Sequence, residues 1–419
     1  MDIKKIVIVG AGPAGMMAAI RASQIVSGVV LLEKNQDLGK KLLLSGKGRC
    51  NLTNACDLDY FLARFSRNGQ FLRDAFRKFF NQDLMRFFEE RGLKLKVERQ
   101  LRVFPASDRS SSVLNILQNE LQKNEVNVFI DAAVKGVLAK NKKVEGVLLA
   151  DGEEIRAEKV ILATGGVSYS STGSTGFGIE EAGILGHKII PLMPGLVPLK
   201  IKQRWPKLLE GLSLKNIRLK ITDSEKNIIS PVGELVFTSS GISGPLVFSL
   251  SAQTGDLLQK NKNVFVEIDL KPALSDEQLD ARLLREFKSA PKKSVKNTLK
   301  TLLPQSLIGV FLDISKIEQD KIVSYITQDE RKNIAYLLKN FRLDIARLGF
   351  IEDGMVTRGG VSLKDINPRT MESRIVKGLY FAGEMIDVDA DTGGFNLQAA
   401  FSTGYLAGES AAISTKEEG

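Results

Sequence analysis

Three glycines and one acid carry the clearest chemistry in this chain. Gly10, Gly12 and Gly15 stand at G-x-G-x-x-G spacing, and Glu33 follows 18 residues after Gly15. That set suits a dinucleotide. Gly10 makes a tight turn, Gly12 lets the backbone approach a pyrophosphate, and Gly15 lets a helix pack close to a strand. Pro13 and Ala14 complete the turn, and the N–H groups that open the next helix face the phosphates. Glu33 accepts hydrogen bonds from ribose hydroxyls. Three elements must position these residues: a buried strand before the turn, a helix after it, and a second strand ending at the acid. Ile6–Val9, the small-residue stretch from Ala14 to about Ser27, and Val29–Leu32 supply them in order. The full constellation is far more specific than the glycines alone.

Composition narrows the remaining classes. At 419 residues and 43% hydrophobic, the chain is long enough for about two or three domains. No apolar run approaches the roughly 18 residues of a membrane span. The apolar stretch near the N-terminus is too short for a signal peptide, so a cytoplasmic protein without membrane association is expected. Two cysteines, Cys50 and Cys56, fit a reducing compartment. The single histidine, His187, argues against a histidine metal site or a Ser-His-Asp triad and reads as a structural residue, so no metal is expected. The net charge of +10 is unevenly spread. Lys200, Lys202, Arg204, Lys207, Lys215, Arg218 and Lys220 face only Glu210 in their stretch. Arg282, Arg285, Lys288, Lys292, Lys293, Lys296 and Lys300 face only Glu286. Such a basic surface suits a polyanion, with nucleic acid foremost.

The first 193 residues read as α/β. Helices are expected over 71–91 and 110–123, and strands over 126–130, 134–138, 144–149 and 159–163. Pro191–Gly195 reads as a linker. Residues 194–272 read as an inserted β subdomain and 273–345 as an inserted helical one, opened by an N-cap at Ser275. Residues 346–419 return to the first domain. There Gly378–Ala382 is a strand delivering Gly383 and Glu384 to a glycine-rich loop, followed by a helix over 397–410. A strand that ends in glycine and then an acid is how many flavoproteins hold the ribityl and phosphate part of FAD. No second strand–GxGxxG–helix unit exists, so a dedicated NAD(P)H domain is not expected.

Several longer segments go beyond a generic nucleotide fold. They are Leu44-Ser45-Gly46-Lys47-Gly48-Arg49-Cys50-Asn51-Leu52-Thr53-Asn54, Ala163-Thr164-Gly165-Gly166, Ser171-Thr172-Gly173-Ser174-Thr175-Gly176, Gly241-Ile242-Ser243-Gly244-Pro245, Thr370-Met371-Glu372-Ser373, and Gly383-Glu384 through Thr392-Gly393-Gly394-Phe395-Asn396-Leu397-Gln398. With the N-terminal fingerprint, the set resembles the YhiN-like or BaiN-like flavoprotein family, also called the aminoacetone oxidase family. The resemblance runs from residue 4 to about residue 410 and is weakest over 275–343. Ser170 and Ala390 stand where the family pattern has proline and glycine.

The resemblance implies an α/β, Rossmann-like FAD fold of the two-dinucleotide-binding-domain type, with FAD as cofactor. The residues carried over as its binding set are Gly10, Gly12, Pro13, Ala14, Gly15, Glu33, Lys34, Lys41, Ser45, Gly46, Gly48, Arg49, Cys50, Asn51, Thr164, Gly165, Gly166, Gly383, Glu384, Asp387, Gly394, Asn396 and Leu397. Lys47 and Arg49 either offset cofactor charge or pair with surface acids. Asp387 is the best acid for the ribityl chain. Asn396 and Leu397 open the last helix, whose N–H groups suit the charge that grows on a flavin oxygen during reduction. Cys50 is the leading catalytic candidate, as a general acid beside the flavin; its other reading is a small buried thiol. Tyr169 and Glu384 are lesser proton-donor candidates.

The implied activity is FAD-dependent oxidoreduction. The family is associated with reducing uridine to dihydrouridine in ribosomal RNA, and the basic stretches would then grip phosphates. The alternative is a small-molecule enzyme, oxidising an amine such as aminoacetone or reducing an enoyl- or steroid-like double bond. One tryptophan and six tyrosines give little material for the aromatic cage of an amine oxidase. Reduced nicotinamide, docking transiently, or another electron donor would reduce the flavin.

Overall fold

The computed structural model describes residues 4–223, 225–260, 263–351 and 354–418. The chain divides into two compact units, Met1–Gly195 with Ile351–Gly419, and Leu196–Phe350. No helix among the described residues is long and apolar enough to cross a membrane.

The first unit is built on a seven-stranded sheet. Its strands lie in the order 127–129, 29–32, 4–9, 154–162, 143–149 and 134–140, with 379–381 also beside 154–162. Lys4–Val9 pairs in parallel with Val29–Leu32 on one side and with Glu154–Leu162 on the other. Ile6, Val7, Ile8 and all of Val29–Leu32 are buried, as expected of parallel strands covered on both faces. The strands 134–140, 143–149 and 154–162 form an antiparallel meander. The helix Pro13–Ser23 packs closely against the last helix, Phe395–Glu418. Gly404 and Gly408, one turn apart, make that approach possible: a Cβ at either would fall far inside contact distance of the carbonyl oxygens of Ala14 and Ala18.

Two local expectations change. The helix expected over 71–91 is broken into Arg73–Lys78 and Asn81–Glu89, with Phe79 extended between them. The Phe79 carbonyl accepts hydrogen bonds from Ser402 Oγ at 2.6 Å and Gln398 Nε2 at 3.4 Å, and its ring stacks on Tyr405 at 4.6 Å. Those distant partners outcompete local helix propagation. Pro191–Gly195 is no linker but part of a strand, Ile189–Gly195, paired antiparallel with Val356–Val361. A register shift between Ile190 and Met193 accommodates a proline, which has no N–H to give the ladder.

In the second unit, antiparallel pairings run from Ser213–Thr222 through 233–238, 241–243, 199–201, 341–348 and 265–269 and back to Ser213–Thr222. The ring has no open edge at those strands. It is closed by Phe341–Leu348, which follows the helices. The strand-rich and helix-rich stretches therefore share one core, in which Ile268, Phe311 and Phe341 are fully buried.

Candidate dinucleotide and flavin site

The turn Gly10–Gly15 is shaped by steric need at two positions. Gly10 has φ +101°, and a Cβ there would lie 2.7 Å from the Ala163 carbonyl oxygen. A Cβ on Gly15 would collide with the Gly10 carbonyl oxygen. Gly12 differs: its φ of −77° suits any residue, and a Cβ there would meet nothing within 4 Å. It faces open space at the start of the first helix. No side chain caps that helix, and its first turn carries no acid. The positive end of the dipole is therefore left for an external anion.

Glu33 is buried at the edge of this turn. One carboxylate oxygen accepts from the Ala11 N–H at 2.9 Å, and the other from Asn35 N and Nδ2 at 3.0 and 2.6 Å. These bonds fix its orientation and leave lone pairs for further donors. Lys34 Nζ donates to Thr175 Oγ1 at 3.0 Å, and Asn35 Nδ2 to the Thr172 carbonyl at 3.2 Å. The 171–176 loop is thus tied to the end of the second strand. Burial lowers the Lys34 ammonium, against the raising effect of Glu33.

Lys41 and Glu384 meet at 2.6 Å. Lys41 also donates to Ser168 Oγ at 2.8 Å, and Glu384 accepts from Ser168 Oγ at 2.8 Å and from the Thr357 N–H at 2.7 Å. Burial pushes Glu384 upward, but Lys41 and these hydrogen bonds outweigh it and hold the carboxyl below its ordinary range. Glu384 is thus an anion rather than a proton donor at neutral pH. Gly383 turns the chain there with φ +77° and donates its N–H to Thr403 Oγ1 at 3.0 Å. Beside this network the Thr164 hydroxyl is buried with no hydrogen-bond partner.

The two longest motifs interlock. Asn54 Nδ2 donates to the Gly393 carbonyl at 3.2 Å, and Thr53 Oγ1 to Gln398 Oε1 at 2.6 Å. Asn51, with its amide turned to suit its neighbours, accepts from the Gly394 N–H at 3.0 Å. A Cβ on Gly394 would collide with the Thr53 backbone. Within 45–54, Gly46, Lys47, Gly48 and Cys50 all have φ between 57° and 82°. For Lys47 and Cys50 each such conformation costs on the order of 1 kcal/mol or more, a kind of strain that clusters at ligand sites. Ser45 Oγ donates to the Leu42 carbonyl at 2.6 Å. A strap, Arg64–Asn68, runs antiparallel to Asp387–Asp391. Its rungs are Arg64 to Asp391 at 3.7 Å, Ser66 to Asp389 at 2.7 Å and Asn68 to Asp387 at 3.0 Å. Sequence reasoning missed this strap, although the alternation of Asp387, Asp389 and Asp391 is its visible signal.

Some expected site residues are placed in other company. The Arg49 guanidinium pairs with Glu98 and Asp108 and lies over the Phe104 ring at 4.2 Å, so its charge is met by protein acids. Asn396 uses its side chain to clasp its own loop, accepting from Ala390 N and donating to Ala390 O, both at 2.9 Å. It does stand in the first turn of the last helix, with Leu397 beside it. Gly165 has φ +75°, and Gly166 sits so close to Thr357 that a side chain there would collide with it. Burial raises Asp387, and raises Asp391 to about 6. The Cys50 thiol is fully buried and pushed up to about 12 by burial, with Ser45 partly offsetting. His187 is buried between the Ala182 carbonyl at 2.9 Å and Ser373 Oγ at 2.7 Å, a structural role. No cluster able to hold a metal occurs among the described residues.

An uncapped helix, an open face at Gly12, an orienting Glu33 and an unpartnered Thr164 hydroxyl fit a bound dinucleotide. The model of the HI0933-like protein Rossmann domain matches residues 4–410. The chain is 32% identical over 413 residues to the 3-dehydro-bile acid delta(4,6)-reductase of Clostridium scindens, covering 98% of this chain and 99% of that one. It is 31% identical over 402 residues to the ribosomal RNA dihydrouridine synthase of Haemophilus influenzae, covering 95% and 96%. Among solved structures, 3-ketosteroid delta1-dehydrogenase from Sterolibacterium denitrificans superposes with a TM-score of 0.53 at 12% identity, covering 99% and 100%. That last likeness concerns the fold alone.

Proposed function

The chain belongs to the HI0933-like Rossmann family, and on that premise we propose that it reduces the carbon–carbon double bond of a uridine in ribosomal RNA. It is an FAD-dependent oxidoreductase. The observation that carries the choice of substrate is the net charge of +10, concentrated in two stretches. It accompanies 31% identity across 95% of the chain to a protein named for dihydrouridine synthesis in ribosomal RNA. The second reading, reduction of a conjugated double bond in a small molecule, is supported by the comparable identity to a bile acid reductase. Both readings share one reaction type. The work site is proposed to be the cytoplasm, with reduced nicotinamide as a transient electron donor.

Bound FAD would supply a hydride. The first helix and Gly12 would receive the pyrophosphate, and Glu33 the ribose. Lys41 and Glu384, paired at 2.6 Å, fix the start of the loop that carries Gly383. The interlocked 45–54 and 391–398 segments would hold the flavin end. Asp387 would take the ribityl chain.

Reduction also needs a proton at the carbon next to the one that takes hydride. A donor works best when its pKa lies near the working pH. Burial that raises Cys50 to about 12 works against it, because a thiolate left behind would sit in an apolar enclosure. Asp391, raised by burial to about 6 against the pull of Arg64 at 3.7 Å, stands directly before Thr392-Gly393-Gly394 and is better matched. Reoxidation of reduced enzyme by ribosomal RNA, followed in single turnovers, separates the two. Cys50→Ser is expected to stay within about tenfold of the parent, whereas Asp391→Asn is expected to slow by about 10²–10⁴-fold with flavin still bound. The reverse ranking would return the role to Cys50. Direct assay of dihydrouridine in RNA treated with the reduced enzyme tests the reaction itself.

A further inference from the structure

We propose that RNA docks on one face of the second unit, made by Arg285, Lys288, Lys292, Lys293, Lys296 and Lys300 with Tyr325 beside them. The inference rests on the RNA reading above and assigns it a surface. The two basic stretches look alike in sequence, but the structure separates them. On the strand Ser213–Thr222, Lys220 pairs with Glu267 at 3.1 Å and Arg218 stands opposite Asp269 in register. Lys200 donates to Ser240 Oγ at 2.6 Å. Lys202, Arg204, Lys207 and Lys215 are exposed without an acid partner among the described residues, but they are scattered around three separate segments, Leu199–Ile201, Trp205–Leu209 and Ser213–Thr222.

The second stretch is different. Among the described residues only Arg282 of this stretch has an acid partner, Glu286 at 3.8 Å. Val295, Thr298, Leu299 and Leu302 turn inward and are buried, so Lys293, Lys296 and Lys300, at three- and four-residue spacing, share the outer face. Arg285 and Lys288 are exposed, three residues apart on the preceding helix Asp276–Ser289. Glu318 and Asp320 lie on the segment that bonds to Val295 and Lys296 through the carbonyls of Lys321 and Gln319. Neither forms an ion pair with these lysines among the described residues. The Val323 N–H bonds to the Lys293 carbonyl at 3.0 Å, which brings Tyr325, 72% exposed, to the same edge. Unpaired cations around an exposed aromatic ring are the parts of a single-stranded RNA platform: charges for phosphates and a ring on which a base stacks.

The test measures binding of full-length enzyme to deproteinised ribosomal RNA, from cells lacking this protein, across a salt series. Lys292→Ala/Lys293→Ala/Lys296→Ala is expected to bind at least about tenfold more weakly. Its log–log salt slope should be shallower by about 2, from roughly 0.7 per lost phosphate contact on a single strand. Tyr325→Ala is expected to weaken binding by about tenfold without changing the slope. Lys202→Ala/Lys207→Ala/Lys215→Ala, as a control, should bind as the parent does. Unchanged binding by the first variant, or loss confined to the control, overturns the proposal. So does a parent that binds vesicles of anionic phospholipid but not RNA. Binding is read without turnover, so a parent that grips RNA through these lysines but leaves its uridines unreduced supports the surface and refutes only the reaction.

Discussion

Gly12→Ala is expected to yield a folded protein without its flavin, and Gly15→Ala a protein that fails to build the site at all. The two glycines sit three residues apart in one motif, yet they answer to different neighbours. Gly12 has ordinary backbone angles and empty space where a Cβ would go. Alanine at that N-cap costs the fold about 1 kcal/mol or less. The added methyl would instead occupy the space proposed for the pyrophosphate, and overpacking of that kind costs about 1–3 kcal/mol, roughly ten- to a hundredfold in affinity. Gly15 has the Gly10 carbonyl oxygen where its Cβ would stand, and backbone cannot swing aside as a side chain can. A penalty above about 3 kcal/mol falls on the strand–turn–helix packing itself. Visible flavin absorbance per protein, read beside the thermal midpoint, separates the cases. A flavin-loaded Gly12→Ala protein would remove the phosphate from this turn.

Gly404→Val should be nearly as damaging, although it lies at the other end of the chain. The last helix touches the first through Gly404 and Gly408, with the backbone of Ala14 and Ala18 where their side chains would be. Valine at 404 must push the two helices apart, and Ala14 belongs to the turn proposed to receive the phosphates. The expected loss is about 3 kcal/mol or more, since neither backbone can give way cheaply. Flavin content should fall together with the thermal midpoint. Ser410→Val, on the same helix but away from that contact, serves as the comparison. Equal stability of the two variants would contradict the packing argument.

The parts of the fold legible in sequence are those written in short range. The fingerprint, the strand before it, Glu33 and the strands within 134–150 depend on neighbours within one βαβ unit or hairpin, and the structure forms them as their patterns suggest. Phe79 shows the limit: its segment has helical periodicity, but its carbonyl is taken by Ser402 and Gln398 from the far end of the chain. Pro191 and Pro194 look like linker residues until a partner strand and a register shift are supplied. The last strand of the ring, Phe341–Leu348, follows helical sequence and shows its role only through its partners.

The site divides in the same way. Gly10 and Gly15 were legible because steric need at a turn selects one residue type. The ion pairs were not, since any lysine can meet any glutamate. Lys41 and Glu384 turn out to be partners, and Arg49 turns toward Glu98 and Asp108. Gly404 and Gly408 carried a readable signal in their four-residue spacing, the mark of helices in close approach.

The central claim, reduction of uridine in ribosomal RNA, is tested most directly by mass spectrometry of ribosomal RNA from a strain lacking this gene, its parent and a complemented strain. The account predicts one nucleotide heavier by two hydrogens in the parent, absent from the deletion strain and restored on complementation. Identical RNA in all three strains would contradict it and leave a small conjugated molecule as the substrate.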